Sequence, residues 1–163
     1  MFLRNFLTSS LLSFIVCLAS FGQTTPIRSN TGFTANALPR NDDGSAGPVT
    51  IGWTLNFFGQ QRSTAYVNNN GNITFNGALS SYTPFGLTGV TQEIIAVFFA
   101  DVDTTNAASG VVTYGRDTVN GRAAFGVNYL NVGYYSSKAD KTNRFQLVLI
   151  ERGDTGAGNF DIE

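Results

Sequence analysis

Apolar and polar residues alternate along much of this chain with a period of two, the signature of strands buried on one face. Val49, Ile51, Trp53, Leu55 and Phe57 alternate with Thr50, Gly52, Thr54 and Asn56 and predict one long strand. A second runs over residues 63–68, with Ala65 and Val67 on one face and Tyr66 on the other, and Ile73 and Phe75 continue as its return strand. Residues 111–116 predict another, and Ala123, Phe125, Val127 and Tyr129 alternate along its partner. Two segments break the rule. Residues 94–100 are apolar without interruption, and residues 145–150 are apolar apart from Gln146. Both are too short to cross a membrane, and their β-branched and aromatic content favours strand over helix. They predict central strands covered on both faces, the 94–100 ribbon being the one over which the rest closes. Phe160 and Ile162 begin a strand beside residues 145–151, with Asp161 and Glu163 outward. The sequence stops there in mid-strand, which predicts a chain truncated at its C-terminus.

Glycine, asparagine and aspartate punctuate these runs. Asn41-Asp42-Asp43-Gly44-Ser45, Gly59-Gln60-Gln61, Asn68-Asn69-Asn70-Gly71 and the stretch ending in Asn120-Gly121 read as turns. Asn tolerates left-handed dihedrals and Gly accepts them freely. Residues 133–142 read as a polar loop carrying Tyr134, Tyr135, Lys138 and Lys141. Residues 77–92 form a long loop whose Tyr82, Pro84, Phe85 and Leu87 predict that it packs down on the domain. Roughly seven or eight short strands with turn signals every 8–12 residues predict an all-β fold of sandwich-like antiparallel sheets joined by hairpins.

Length and composition narrow the picture. With 163 residues the chain is one domain, and a formal net charge of −1 with scattered basic residues gives no footprint for nucleic acid. Histidine is absent, which removes Ser–His–Asp and Cys–His catalysis and His-ligated zinc. The single cysteine, Cys17, lies in an N-terminal apolar segment with the features of a secretory signal. Arg4 supplies the positive region, residues 11–21 are apolar apart from Ser13 and Ser20, and cleavage after Gly22 puts Ser20 at the −3 position. The predicted organisation is a signal-peptide helix over 1–22, an irregular lead-in over 23–37 and a β domain over 38–163. The mature chain then has no cysteine, rests on its core alone, has no membrane span beyond the cleaved signal, and is secreted or held at the cell surface.

Candidate chemistry centres on Asp101 and Asp103. In an extended chain they share a face, with Cα atoms roughly 6.5 Å apart. Together with Asn106 or backbone carbonyls they offer oxygen ligands for Ca²⁺, though without EF-hand spacing. As paired carboxylates they match the spacing of a glycosidase, with nothing else to support hydrolysis. The plain alternative is that both accept hydrogen bonds from local backbone N–H groups where strand becomes loop. Like charges on one face need relief, for which Arg40, Arg116 and Arg122 are the candidates. Asp42 and Asp43 carry the same choice, with turn chemistry ahead of metal. Tyr134, Tyr135 and Lys138 offer a recognition patch or a solvated loop, and Asn72-Ile73-Thr74 matches the N-glycosylation pattern. Apart from Ca²⁺, no cofactor is expected.

Several segments together resemble the NIDO domain, the extracellular module named for nidogen and also seen in tectorin-like and mucin-like proteins. They are Leu38 with Asn41-Asp42-Asp43-Gly44-Ser45, Trp53-Thr54-Leu55-Asn56-Phe57-Phe58-Gly59, the stretch from Tyr66 to Phe75, Tyr82-Thr83-Pro84-Phe85, the stretch from Ile95 to Thr104, and Gly110-Val111-Val112-Thr113-Tyr114. The resemblance covers residues 38–163. It implies a non-catalytic extracellular module in cell–matrix adhesion, with a matrix protein, surface protein or glycan as partner. It departs from the family pattern in lacking neighbouring modules and the last C-terminal strands. Two alternatives stand beside it: a Ca²⁺-dependent carbohydrate-binding module centred on Asp101 and Asp103, and a structural spacer of a longer surface protein.

Overall fold

The computed structural model describes residues 27–163, so the predicted signal helix over 1–22 lies outside the described residues. A 3-10 turn (Thr31–Thr34) leads into nine strands: β1 (Asn36–Ala37), β2 (Ser45–Phe57), β3 (Gln60–Asn68), β4 (Asn72–Thr74), β5 (Ile94–Ala96), β6 (Val112–Val119), β7 (Arg122–Tyr134), β8 (Lys138–Glu151) and β9 (Phe160–Ile162). They form two antiparallel sheets, β1-β6-β7-β8-β9 and β2-β3-β4-β5. The chain is therefore the expected all-β sandwich. Among the described residues, no helix is long and apolar enough to cross a membrane.

The period-two faces meet between the sheets. Ile51 and Leu55 from β2, Ala65 and Val67 from β3, and Ile73 from β4 pack against Val112, Phe125, Val127, Tyr129, Leu147 and Leu149. β6 and β7 turn at Asn120-Gly121, both with positive φ (51° and 78°), the backbone that favours Asn-Gly in two-residue hairpins. β9 pairs with β8 from Glu151↔Phe160 to Leu149↔Ile162, as expected.

Buried runs follow from a second, smaller core on the far face of the five-stranded sheet. There Phe33, fully buried, packs with Val119, Ala124, Val148 and Ile150. The 145–150 run is thus central, as expected, with β7 and β9 on either side and both faces covered. The lead-in is less irregular than expected, because the segment carrying Phe33 forms this cover. Asn128 Nδ2 donates to Phe33 O (3.1 Å), Arg28 N donates to Gln146 Oε1 (2.9 Å) and Gln146 Nε2 donates to Arg28 O (3.0 Å). Gln146, the polar interruption in the run, is the residue that ties the lead-in down.

Three expectations are corrected. Residues 94–100 are not a central strand. Only Ile94–Ala96 joins a ladder, at the edge of the four-stranded sheet, paired with β4 alone. Val97 and Phe98 are 38% and 45% exposed. β4 is three residues long, so β5 has no longer partner to follow. The chain instead runs along the β3–β4 turn, where Phe98 N donates to Gly71 O (3.2 Å) and Ala100 N to Asn70 O (3.4 Å). Gly71, at φ 76°, is needed for this approach, because a Cβ there would collide with the Phe98 carbonyl. The 77–92 loop does not pack down: Tyr82, Leu87 and Val90 are exposed, and Phe85 alone among its aromatic residues finds a ring, edge-on to Phe99 at 5.3 Å. Residues 133–142 are not a loop. β7 and β8 run through them to a tight turn with positive φ at Ser136 and Ser137.

Candidate functional site

The β3–β4 turn is the hub of the polar residues. Asn68, Asn69, Asn70 and Asn72 are each at most 1% exposed, so this is an interior turn. Buried amides require partners, and apart from Asn69 Oδ1, which is buried without a donor, these amides find theirs within the turn and on the surrounding segments. Asn68 Nδ2 donates to Asn72 Oδ1 (2.8 Å) and Thr74 Oγ1 (3.0 Å), while its Oδ1 accepts from Ser45 Oγ (2.7 Å) and Leu79 N (3.1 Å). Tyr129, fully buried beneath, donates its hydroxyl to Asn68 O (2.7 Å), and burial pushes that phenol well above its ordinary range. Asn69 Nδ2 donates to the carbonyls of Asp42 and Val102. Asn70 accepts from Val102 N (2.9 Å) and donates to Asp43 Oδ1 (2.8 Å). One turn therefore grips both the 41–45 turn and the segment following β5. Thr104 N donates to Asn41 O (2.9 Å) and completes the clamp.

The clamp brings Asp42, Asp43 and Asp101 together, with one carboxylate oxygen from each within 4.8 Å of the others. Asp103 is placed differently. Its Oδ1 accepts from Thr105 N (2.8 Å) and its Oδ2 from Ser137 N (2.6 Å), so it fastens the loop to the β7–β8 turn. Burial opposes its charge, but the hydrogen bonds from Thr105 and Ser137 outweigh burial and hold it below the ordinary carboxylate value. Asp42 and Asp101 shift the other way. Burial raises both; the charges of Asp103, Asp43 and Asp101 add to the shift at Asp42, and those of Asp43 and Asp103 add at Asp101.

None of the three expected arginines relieves this cluster. Arg40 donates to the carbonyls of Thr104 (2.9 Å), Asn106 (2.7 Å) and Ser109 (2.8 Å). Arg122 pairs with Asp154 (2.9 Å), and Arg116 lies over Gly52 of β2. Sequence reading grouped Asp101 with Asp103; the structure sets Asp101 beside Asp42 and Asp43 and ties Asp103 to Thr105 and Ser137. The missing signal was that two Asn/Asp-rich turns, distant in sequence, dock on each other. The Asn72 sequon is also resolved: that side chain is fully buried and donates to Asn70 O (3.2 Å).

With the fold and this joint described, relatives can be set beside the chain. The family model described as NIDO related matches residues 16–155. The chain belongs to the NIDO-related family. That places it among non-catalytic modules. Nidogen of Drosophila melanogaster is 31% identical over 137 residues, 69% of this chain and 10% of that protein. Alpha-tectorin of Mus musculus is 32% identical over 137 residues, 71% of this chain and 6% of that protein. Alpha-tectorin of Gallus gallus is 30% identical over 147 residues. The chain thus spans a tenth or less of the length of these relatives. No solved structure matches it.

Proposed function

We propose that this NIDO-related chain is an extracellular module that works by binding a matrix or cell-surface protein in adhesion. Similarity to nidogen and alpha-tectorin supports the extracellular setting. The observation that carries the binding reading is an apolar groove of about 370 Å³ beside the edge strand β5, lined by Phe57, Phe58, Leu87, Val90 and Ile94. Phe58 is 93% exposed at the tip of the β2–β3 hairpin, and Leu87 is 58% exposed. Apolar groups gathered on a surface mark a contact site, whereas scattered ones do not. The test is solid-phase binding of the full chain to a panel of purified matrix proteins, wild type against Phe58→Ser/Leu87→Ser. Both residues are exposed, so the double variant keeps its thermal melt. We expect saturable binding that weakens at least about tenfold in the double variant, the scale of a lost contact centre. Equal binding by both proteins, or no binding by wild type, overturns the reading; the second outcome favours a spacer.

A second reading has its own observation in the Asp42–Asp43–Asp101 cluster. Three carboxylates converge, and among the described residues none of them is in an ion pair. An all-oxygen, anionic donor set suits a hard cation such as Ca²⁺. Asp42, Asp43 and Asp101 would hold the ion, and Asp103 would position the loop. Calorimetric titration with CaCl₂ and melts with and without chelator test it, and an unchanged melt removes it.

A further inference from the structure

A second groove, sharing no residue with the acidic cluster or the apolar groove, opens at the rim of the sandwich between β2 and β6. It holds about 610 Å³, within the roughly 300–1,000 Å³ of small-ligand sites. Its origin is visible in the strands. β2 leaves its register with β3 between Thr50 and Leu55, and Gly52 and Trp53 of that irregular stretch line the groove. On β6, Val112 and Tyr114 face the inter-sheet core. Arg116, two residues on, shares that face but is exposed. Its stem lies across β2: a Cβ at position 52 would stand 3.0 Å from Arg116 Cδ, so Gly52, at φ 111°, leaves the space the arginine occupies.

Three polar groups here have no partner among the described residues. The Arg116 guanidinium makes no ion pair or hydrogen bond, although most arginines among the described residues are engaged. The Tyr114 hydroxyl has no partner, and Trp53 Nε1 is buried without an acceptor. A buried donor left unsatisfied is costly and calls for an explanation. Asp117, the one acid lining the groove, is committed elsewhere: its Oδ2 accepts from Gly32 N (2.9 Å) and its Oδ1 from Thr118 N (2.7 Å). The open charge of the groove is therefore the guanidinium, flanked by two aromatic rings and by the hydroxyl and amide groups of Thr50 and Asn36.

We propose that this groove binds a carboxylate-bearing oligosaccharide, with Arg116 pairing the uronate carboxylate and Trp53 and Tyr114 packing against the sugar rings. A guanidinium matches a carboxylate in a bidentate fork. A pyranose offers C–H faces to aromatic rings and hydroxyls to amide and hydroxyl groups, which matches this mixed lining better than an acidic peptide does.

Trp53 is the one tryptophan in the sequence, so its fluorescence reports on this groove alone. The experiment titrates the full chain with hyaluronan tetrasaccharide, its carboxyl-reduced neutral counterpart and hexaglutamate, with calorimetry in parallel. We expect a saturable change in Trp53 emission with the acidic tetrasaccharide alone. Arg116→Gln weakens binding at least about tenfold, the scale of a lost charge-assisted pair, and Arg116→Lys falls between. Arg116 is exposed, so thermal melts of both variants stay near wild type. No binding, binding without a Trp53 response, equal affinity for the neutral sugar, or undiminished affinity in Arg116→Gln each overturns the proposal. A response to hexaglutamate in place of the sugar overturns it in favour of a peptide ligand. Adhesion through the apolar groove is untouched by Arg116→Gln, so the two readings fail separately.

Discussion

Replacing Phe33 with alanine tests whether the lead-in is part of the folded domain. The ring is fully buried against Val119, Ala124, Val148 and Ile150. Truncating such a ring costs about 3–5 kcal/mol in transfer and cavity terms. Against a total stability of about 5–15 kcal/mol, that is roughly a fifth of the fold or more, or a fall in Tm of roughly 10 °C for a domain of this size. A simple cavity argument predicts this for any buried Phe, so the sharper test uses the position under the ring. Gly126 has no side chain, and a Cβ there would fall on the Phe33 ring, 2.6 Å from Cδ2. In wild type, Gly126→Ala therefore overpacks and costs on the order of 1–3 kcal/mol. In the Phe33→Ala background the obstruction is gone, and the added methyl refills part of the cavity.

The cycle is thus expected to be non-additive, with Gly126→Ala neutral or stabilising once Phe33 is absent and a coupling of about 1–3 kcal/mol. Urea unfolding of the four proteins, followed by circular dichroism with m compared across them, measures it. A cost below about 1 kcal/mol for Phe33→Ala, or an additive cycle, refutes the packing described.

Three further outcomes follow from the acidic joint and the sequon. Asp42 and Asp101 have raised folded values, so each binds its proton more tightly when folded, and the stability it contributes is lost as pH rises through its folded value. Asp101→Asn should therefore raise Tm at pH 7 in chelator and lose that advantage near pH 3; a lowered Tm at pH 7 counts against the cluster. Asp103 has a depressed value, so its contribution is present above the ordinary 3.8 and lost as pH falls through the depressed one. Asp103→Ala should cost about 1–3 kcal/mol at pH 7 by stranding the Thr105 and Ser137 N–H groups, with the gap to wild type closing in acid melts. Asn72 should carry no glycan on expression in a eukaryotic secretory line, as read by intact mass.

How much of this was legible in the sequence depended on whether a segment's neighbours were local. Alternation found β2, β3, β6 and β7, because a strand whose two faces differ in character carries its orientation in its own residues. The apolar-run argument found the middle of β8. The same argument failed for 94–100, since an apolar run records that contacts exist without recording with what. Phe98 lies against Phe145 at 5.1 Å, and Phe99 against Phe85 at 5.3 Å. These are aromatic contacts to segments distant in sequence, and they need no second ladder. The 133–142 stretch misled in the opposite direction. Its polar residues sit on strands that project past the core, where both faces meet water and alternation carries no signal. At the site, Asp101 was visible and its company was not, because Asp42 and Asp43 reach it through asparagine side chains rather than through any spacing.

The 94–100 ribbon could be misplaced and the family assignment still hold, and the reason is physical. Three of the segments that carried the resemblance build the joint between turns. Asn41 to Ser45 is one jaw, Tyr66 to Phe75 holds the asparagines, and residues 101–104 are the other jaw. A hydrophobic core tolerates exchange of one apolar residue for another of similar volume. Interior amides that must donate to named carbonyls, as Asn69 does, or accept from a named N–H, as Asn70 does, do not. Such a joint constrains residue type, order and spacing together, which is what a motif is. It also explains how three carboxylates come to face one another without an arginine. The asparagine hydrogen bonds hold both jaws in place against the repulsion. The strain stays at the surface of the joint, where a cation, a proton or an amide substitution can each relieve it.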